Sequence, residues 1–239
     1  MSEVDPAANN SLALGLTVAL LVLSNVMANL VLDGTWHVLW NLGVALALLA
    51  IAMGIGGLGT GDLGLAPNQL RSGLRWGGAI GGTVMAVVMI AALLPGSRDW
   101  FVDDLGRGSV GHLLVKVLVT IPLGTVVMEE IAFRACLPGL LDARPGSTAR
   151  RTLLLSAAAF GMWHILPSRH LGERNKTMGS IFGDTLGRWA PVAAAVVATS
   201  VAGAAWLWLR RRSDSVIAPM LVHWSLNAVG TVAAWLATR

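Results

Sequence analysis

Residues 111–141 read GHLLVKVLVTIPLGTVVMEEIAFRACLPGLL. A helix crosses a bilayer core with about 20 apolar residues, and this run is longer than that. Between Lys116 and Glu129 it carries no charge. Then come Glu129, Glu130 and Arg134, three ionisable residues inside an otherwise apolar segment. Such groups are costly in lipid and mark function by default. One stretch therefore declares a membrane protein and locates its chemistry.

Six further apolar runs flank it, at 11–32, 36–58, 76–94, 152–166, 189–209 and 215–236. Glycines and prolines punctuate the joints, as in GIGGLGTGDLGLAP after the second run. The pattern predicts an all-α polytopic membrane helix bundle of about seven transmembrane helices, the fifth of them short. Residues 1–109 hold three N-terminal spans, and 110–239 form a second unit in which the buried charges lie. Residues 66–75 and 171–187 read as loops. The opening MSEVDPAANN has acids but no Lys or Arg, so the first run reads as a span and not as a cleaved leader.

Composition agrees. Of 239 residues, 55% are hydrophobic and 13% charged, half the roughly 25% of a soluble domain, and mean hydropathy is +0.68. Tyrosine is absent, while ten tryptophans are available for the lipid–water boundary. Net charge is +4 and the pI near 10.5, yet the arginines are scattered among apolar runs with no continuous basic face. That excludes nucleic acid as a partner. The single Cys136 excludes an intrachain disulfide. Seven spans put eight arginines on the N-terminal side (71, 75, 144, 150, 151, 210, 211 and 212) against seven basic residues opposite. This favours a cytoplasmic N-terminus, and a bacterial cell membrane is the expected location.

Three polar clusters lie in separate spans of the second half. In the first, Glu130 and Arg134 are four apart and share a helix face, leaving Glu129 turned about 100° away. Two adjacent carboxylates in apolar surroundings suit general acid–base work. The second is Phe160–Gly161–Met162–Trp163–His164, with Phe160 and His164 on one face and Gly161 permitting close helix approach. The third is His223–Trp224–Ser225–Leu226–Asn227, with His223 and Asn227 on one face. Counted from the turns that join the spans, Glu129 and His164 are each twelve residues in, roughly 18 Å, and His223 and Asn227 bracket that depth. The four should therefore line a single polar cavity.

A carboxylate and an imidazole can deprotonate a water, directly or on a divalent metal such as Zn2+ held by Glu129, His164 and His223. A second imidazole and a carboxamide can donate to the oxyanion formed when that water attacks a carbonyl. Ser225, two positions from His223, faces elsewhere, and the HExxH pair of common zinc proteases is absent. Asn25, Asn29 and Asn41 read as interhelical hydrogen bonds, and Gly77-xxx-Gly81 and Gly78-xxx-Gly82 as close packing of the third span.

In this order, EExxxR (129–134), FxxxH (160–164) and HxxxN (223–227) resemble the CAAX protease and bacteriocin-processing (abortive-infection) family of intramembrane proteases, which includes the Ras-converting CAAX endopeptidase. The resemblance covers about 110–236. It implies that Glu129 is the general base, His164 its partner, and His223 with Asn227 the oxyanion hole. Glu130, Arg134 and Phe160 would support them. It further implies a membrane-associated or lipid-modified peptide as substrate, membrane lipid as surroundings, and either a metal-dependent or a metal-free glutamate mechanism. The competing expectations are a non-catalytic membrane immunity or scaffold protein and a proton-coupled transporter.

Overall fold

The structure is a computed structural model that describes residues 6–103, 107–174 and 189–239. Residues described here form seven long helices and no strand. In chain order they are α1 (Ala7–Val31), α2 (Gly34–Ile55), α3 (Pro67–Leu93), α4 (Val110–Asp142), α5 (Ala149–Trp163), α6 (Trp189–Ser213) and α7 (Ile217–Ala237). All but α5 are long and apolar enough to cross a membrane. The 15 residues of α5 reach only about 22 Å, short of a hydrocarbon core of about 30 Å.

Local chemistry sets the helix ends. Ser109 caps α4 by accepting from the His112 N–H, and Thr148 caps α5 by accepting from that of Arg151. The α3 helix starts earlier than the expected loop at 66–75 allowed. Pro67 suits a first helical turn, and the Gln69 side chain accepts from the Ala66 N–H. These signals outweigh the polar look of the segment. The loop expected at 171–187 falls mostly outside the described residues, apart from a short turn of helix at Leu171–Arg174.

The second half of α4 is the hub. Residues 128–138 are buried without a break, as expected of a helix surrounded on every side. Around it stand α1, α2, α5, α6 and α7. Its turns widen to π type over Lys116–Thr120, Pro122–Val126 and Ile131–Cys136, the last directly after the paired glutamates. Outward-facing residues such as Leu46, Leu93 and Val201 are about two-thirds exposed and face the space lipid would fill.

At one end of the bundle, Asn10 donates to the Leu140 carbonyl, Arg210 to that of Asp62, and Arg211 to that of Ala149. The N-terminus of α1 therefore shares that end with the 59–66, 142–149 and 213–217 connections. At the other end, Arg98 donates to the Leu236 carbonyl, and Trp235 and Arg239 both donate to that of Gly108.

Two glycine seams bind the hairpins together. Gly73, Gly77 and Gly81 of α3 lie against Ser215, Ala218, Leu221 and Ser225 on the α7 side. A Cβ on Gly77 would come within 2.9 Å of the Ala218 carbonyl. Gly78 and Gly82 face open space, so only one of the two expected rows packs. Likewise Gly161 of α5 meets Val196 and Ser200 of α6, while Gly203 meets Phe160. Gly77→Leu is expected to lower stability by about 1–3 kcal/mol through overpacking. Gly78→Leu, on the open face, should stay within about 0.5 kcal/mol, both read by unfolding titrations in mixed detergent.

Candidate active site

Four ionisable side chains meet at the hub. Arg134 Nε is 3.3 Å from Glu130 Oε2, the ion pair that the four-residue spacing predicts. The other oxygen, Oε1, lies 2.8 Å from His223 Nδ1 on α7. His223 Nε2 in turn lies 3.9 Å from Glu129 Oε2. One imidazole is thus held between two neighbouring carboxylates, and all four residues are at most 6% exposed.

Glu129 is held asymmetrically. The Trp163 indole donates to its Oε1 at 2.9 Å, while Oε2 is buried without a hydrogen-bond partner. Trp163 is anchored at its own carbonyl, which accepts from the Asn25 side chain at 2.7 Å. A chain of contacts therefore runs from α1 through the end of α5 to one oxygen of the glutamate. On α2, Asn41 lies 3.4 Å from His37 Nε2 while donating to the Gly124 carbonyl at 2.6 Å.

Arg134 is enclosed by aromatic rings. Its guanidinium lies 3.8 Å from the Phe160 centroid and 5.0 Å from that of Trp206, and its two terminal nitrogens have no hydrogen-bond acceptor among the described residues. Ring faces thus provide the stabilisation that water gives an exposed guanidinium. Trp206 of α6 also stacks on His223 at 4.4 Å, and Phe160 meets His223 edge-on at 6.4 Å.

His164 is the first residue beyond α5. Its ring packs edge-on against Phe160 at 4.6 Å, and its Nδ1 lies 2.8 Å from the Phe160 carbonyl. A carbonyl only accepts, so Nδ1 carries the proton and Nε2 keeps its lone pair. One turn beyond His223, Asn227 borders a cavity of about 420 Å³ with Lys116, Ile121 and Thr231 among its other walls. Glu129, His164 and His223 are not among that cavity's walls. So contacts link Glu129, Glu130, Arg134, Phe160, His164 and His223 into one cluster, while Asn227 lines the cavity beside Lys116.

The expected metal ligands, Glu129, His164 and His223, do not form a metal-holding group in this arrangement. Among the described residues no three His, Cys, Asp or Glu side chains are placed to hold an ion. His164 and His223 each have Nδ1 engaged, on the Phe160 carbonyl and on Glu130.

Sequence reasoning missed His37, Trp163 as a donor, and Trp206. Trp163 gave a signal, since a buried indole carries one donor that must find an acceptor, and it adjoins His164. For Trp206 the only hint was its position three residues after Gly203.

Residues 111–229 match the family model described as type II CAAX prenyl endopeptidase Rce1-like. Over those residues the chain belongs to this family. The match spans all three motifs and the helices that carry them, and it makes the protein an integral membrane CAAX-type protease in general terms. No curated protein and no solved structure matches the chain.

Trp163→Phe keeps the ring and deletes the donor to Glu129. With the fold intact, the rate constant for peptide cleavage is expected to fall about 10- to 100-fold with KM little changed, as read from steady-state kinetics in micelles.

Proposed function

We propose that this protein is an intramembrane endopeptidase that cleaves membrane-associated or lipid-modified peptides with water activated by Glu129 and His164. The observation that carries the reading is the asymmetry at Glu129, one oxygen accepting from Trp163 and the other buried without a hydrogen bond, 3.9 Å from His223 Nε2. A lone carboxylate oxygen in a dry setting is a strong base for a water placed beside it.

Water bonded to Glu129 Oε2 and to the free Nε2 of His164 gives its proton to the glutamate as its oxygen attacks the scissile carbonyl carbon. The carbonyl π electrons move to oxygen. The resulting oxyanion accepts from His223 and from the Asn227 carboxamide. When the intermediate collapses, the C–N bond breaks and the proton held by Glu129 passes to the leaving amine.

Charge counting supports this division of labour. With His223 neutral, two carboxylates and one guanidinium leave a net charge of −1 in a buried cluster, and one further proton brings it to zero. His223 Nδ1 already donates to Glu130, so that proton on Nε2 makes His223 a donor at both nitrogens. A donor is what an oxyanion needs.

An apolar groove of about 490 Å³ runs between α1, α4 and α5, with Leu21, Phe133, Leu137 and Trp163 among its walls. It meets the cluster at Phe133 and Trp163, so an acyl or prenyl chain lying there would bring its attached peptide beside Glu129. A metal-free form of the mechanism is supported by the described residues, among which no three His, Cys, Asp or Glu side chains converge as metal ligands. The arginine-rich end reads as cytoplasmic by the positive-inside rule.

The test is cleavage of a lipid-bearing peptide by the purified protein in vesicles. Glu129→Gln is expected to reduce turnover about 10²- to 10⁴-fold with the melting curve unchanged. Activity should survive a chelator that strips divalent metal. Parental turnover by the glutamine variant would overturn the protease mechanism, and loss of activity on chelation, restored by zinc, would overturn its metal-free form.

A further inference from the structure

The arginine-rich end of the bundle has more cations than its acids engage. Among the described residues the acids there are Asp62, Asp142 and Asp214. Asp142 pairs with Arg211 at 3.0 Å and Asp214 with Arg210 at 3.5 Å, while Asp62 accepts from the Gly59 N–H. Arg71, Arg75 and Arg212 are exposed and have no carboxylate partner among the described residues.

Arg71 and Arg75 are one turn apart on α3 and line a cavity of about 740 Å³ with Asn68, Ser72, Trp76 and Ala79. Arg212, in the last turn of α6, brings its guanidinium 5.1 Å from the Trp76 ring that walls the same cavity. No acid lines it. Along α3 the wall also changes character. Asn68, Arg71, Ser72 and Arg75 come first, then Trp76 and Ala79, beyond which α3 is an apolar membrane span.

A cavity that is cationic at its mouth, aromatic at the boundary and apolar beyond has the polarity profile of one phospholipid. Guanidinium forks match phosphate oxygens, and a tryptophan marks the depth where headgroup gives way to chain. We infer that the Arg71–Arg75 cavity, with Arg212 beside its Trp76 wall, binds the headgroup of an anionic phospholipid, with its chains lying along the apolar part of α3. Basic pockets between membrane helices serve that purpose elsewhere. A free phosphate ion would use the arginines but not the apolar continuation. The inference is independent of the protease reading, since none of these residues belongs to the Glu129 cluster.

The experiment uses the full chain in nanodiscs of equimolar phosphatidylglycerol and phosphatidylcholine, with co-released lipid counted by native mass spectrometry. The parent protein should retain phosphatidylglycerol in at least tenfold preference. R71Q/R75Q should reduce that retention by about fivefold per arginine, toward the phosphatidylcholine level. R98Q/R150Q, which removes the same charge outside the cavity, should leave it unchanged. A79W, which fills the cavity while keeping its charges, should lose retention as R71Q/R75Q does, and it decides the matter if the double variant melts early. No preference in the parent, an equal loss in R98Q/R150Q, or full retention by A79W would each overturn the assignment.

Discussion

Four ionisable groups sit in the driest part of a bundle whose outside is lipid, and every nearby element is arranged to tolerate them. An unpaired charge buried in protein costs several kcal/mol, so removing one partner here would strand the others. Glu130 stands at the centre, bridging Arg134 and His223. The glycine seams follow from that constraint. His223 can reach Glu130 only if α7 is held firmly, and Gly73, Gly77 and Gly81 lock the first turns of α7, up to Ser225, onto α3. Gly161 and Gly203 do the same for α5 and α6, which bring Phe160 and Trp206 over the guanidinium.

Adjacency in the chain gives the two glutamates different surroundings. Glu130 faces the cation and the imidazole and is ion-paired to both. Glu129, one position earlier and so rotated toward α5, keeps a single donor and a free oxygen. The division between a supporting and a reactive carboxylate thus follows from helix geometry before any substrate arrives.

Much of this was legible in the chain. Unbroken apolar runs announce membrane helices because lipid offers no backbone partner, and the four-residue spacing of Glu130 and Arg134 predicts their ion pair. Asn25 and Asn41 do bond between helices, whereas Asn29 donates to the Asn25 carbonyl one turn back on its own helix. Less legible was which imidazole meets which acid. Contact between His223 and both glutamates depends on how α7 rotates against α4, a matter of packing that spacing along one helix does not encode. The same holds for His37 on α2, which the Asn41 side chain meets while bonding to the Gly124 carbonyl of α4. Gly78 and Gly82 show the converse, a small-residue row that faces outward because its neighbour row won the contact.

The short α5 helix bears on the bilayer itself. At about 22 Å it is mismatched to the hydrocarbon thickness that its neighbours satisfy, and a membrane answers such a deficit by thinning locally. Headgroups and their hydration would dip toward His164 at the helix terminus. The depression shortens the distance a hydrophilic backbone must travel through oil to reach the protein interior, and it supplies moisture on the side where the chain ends its climb.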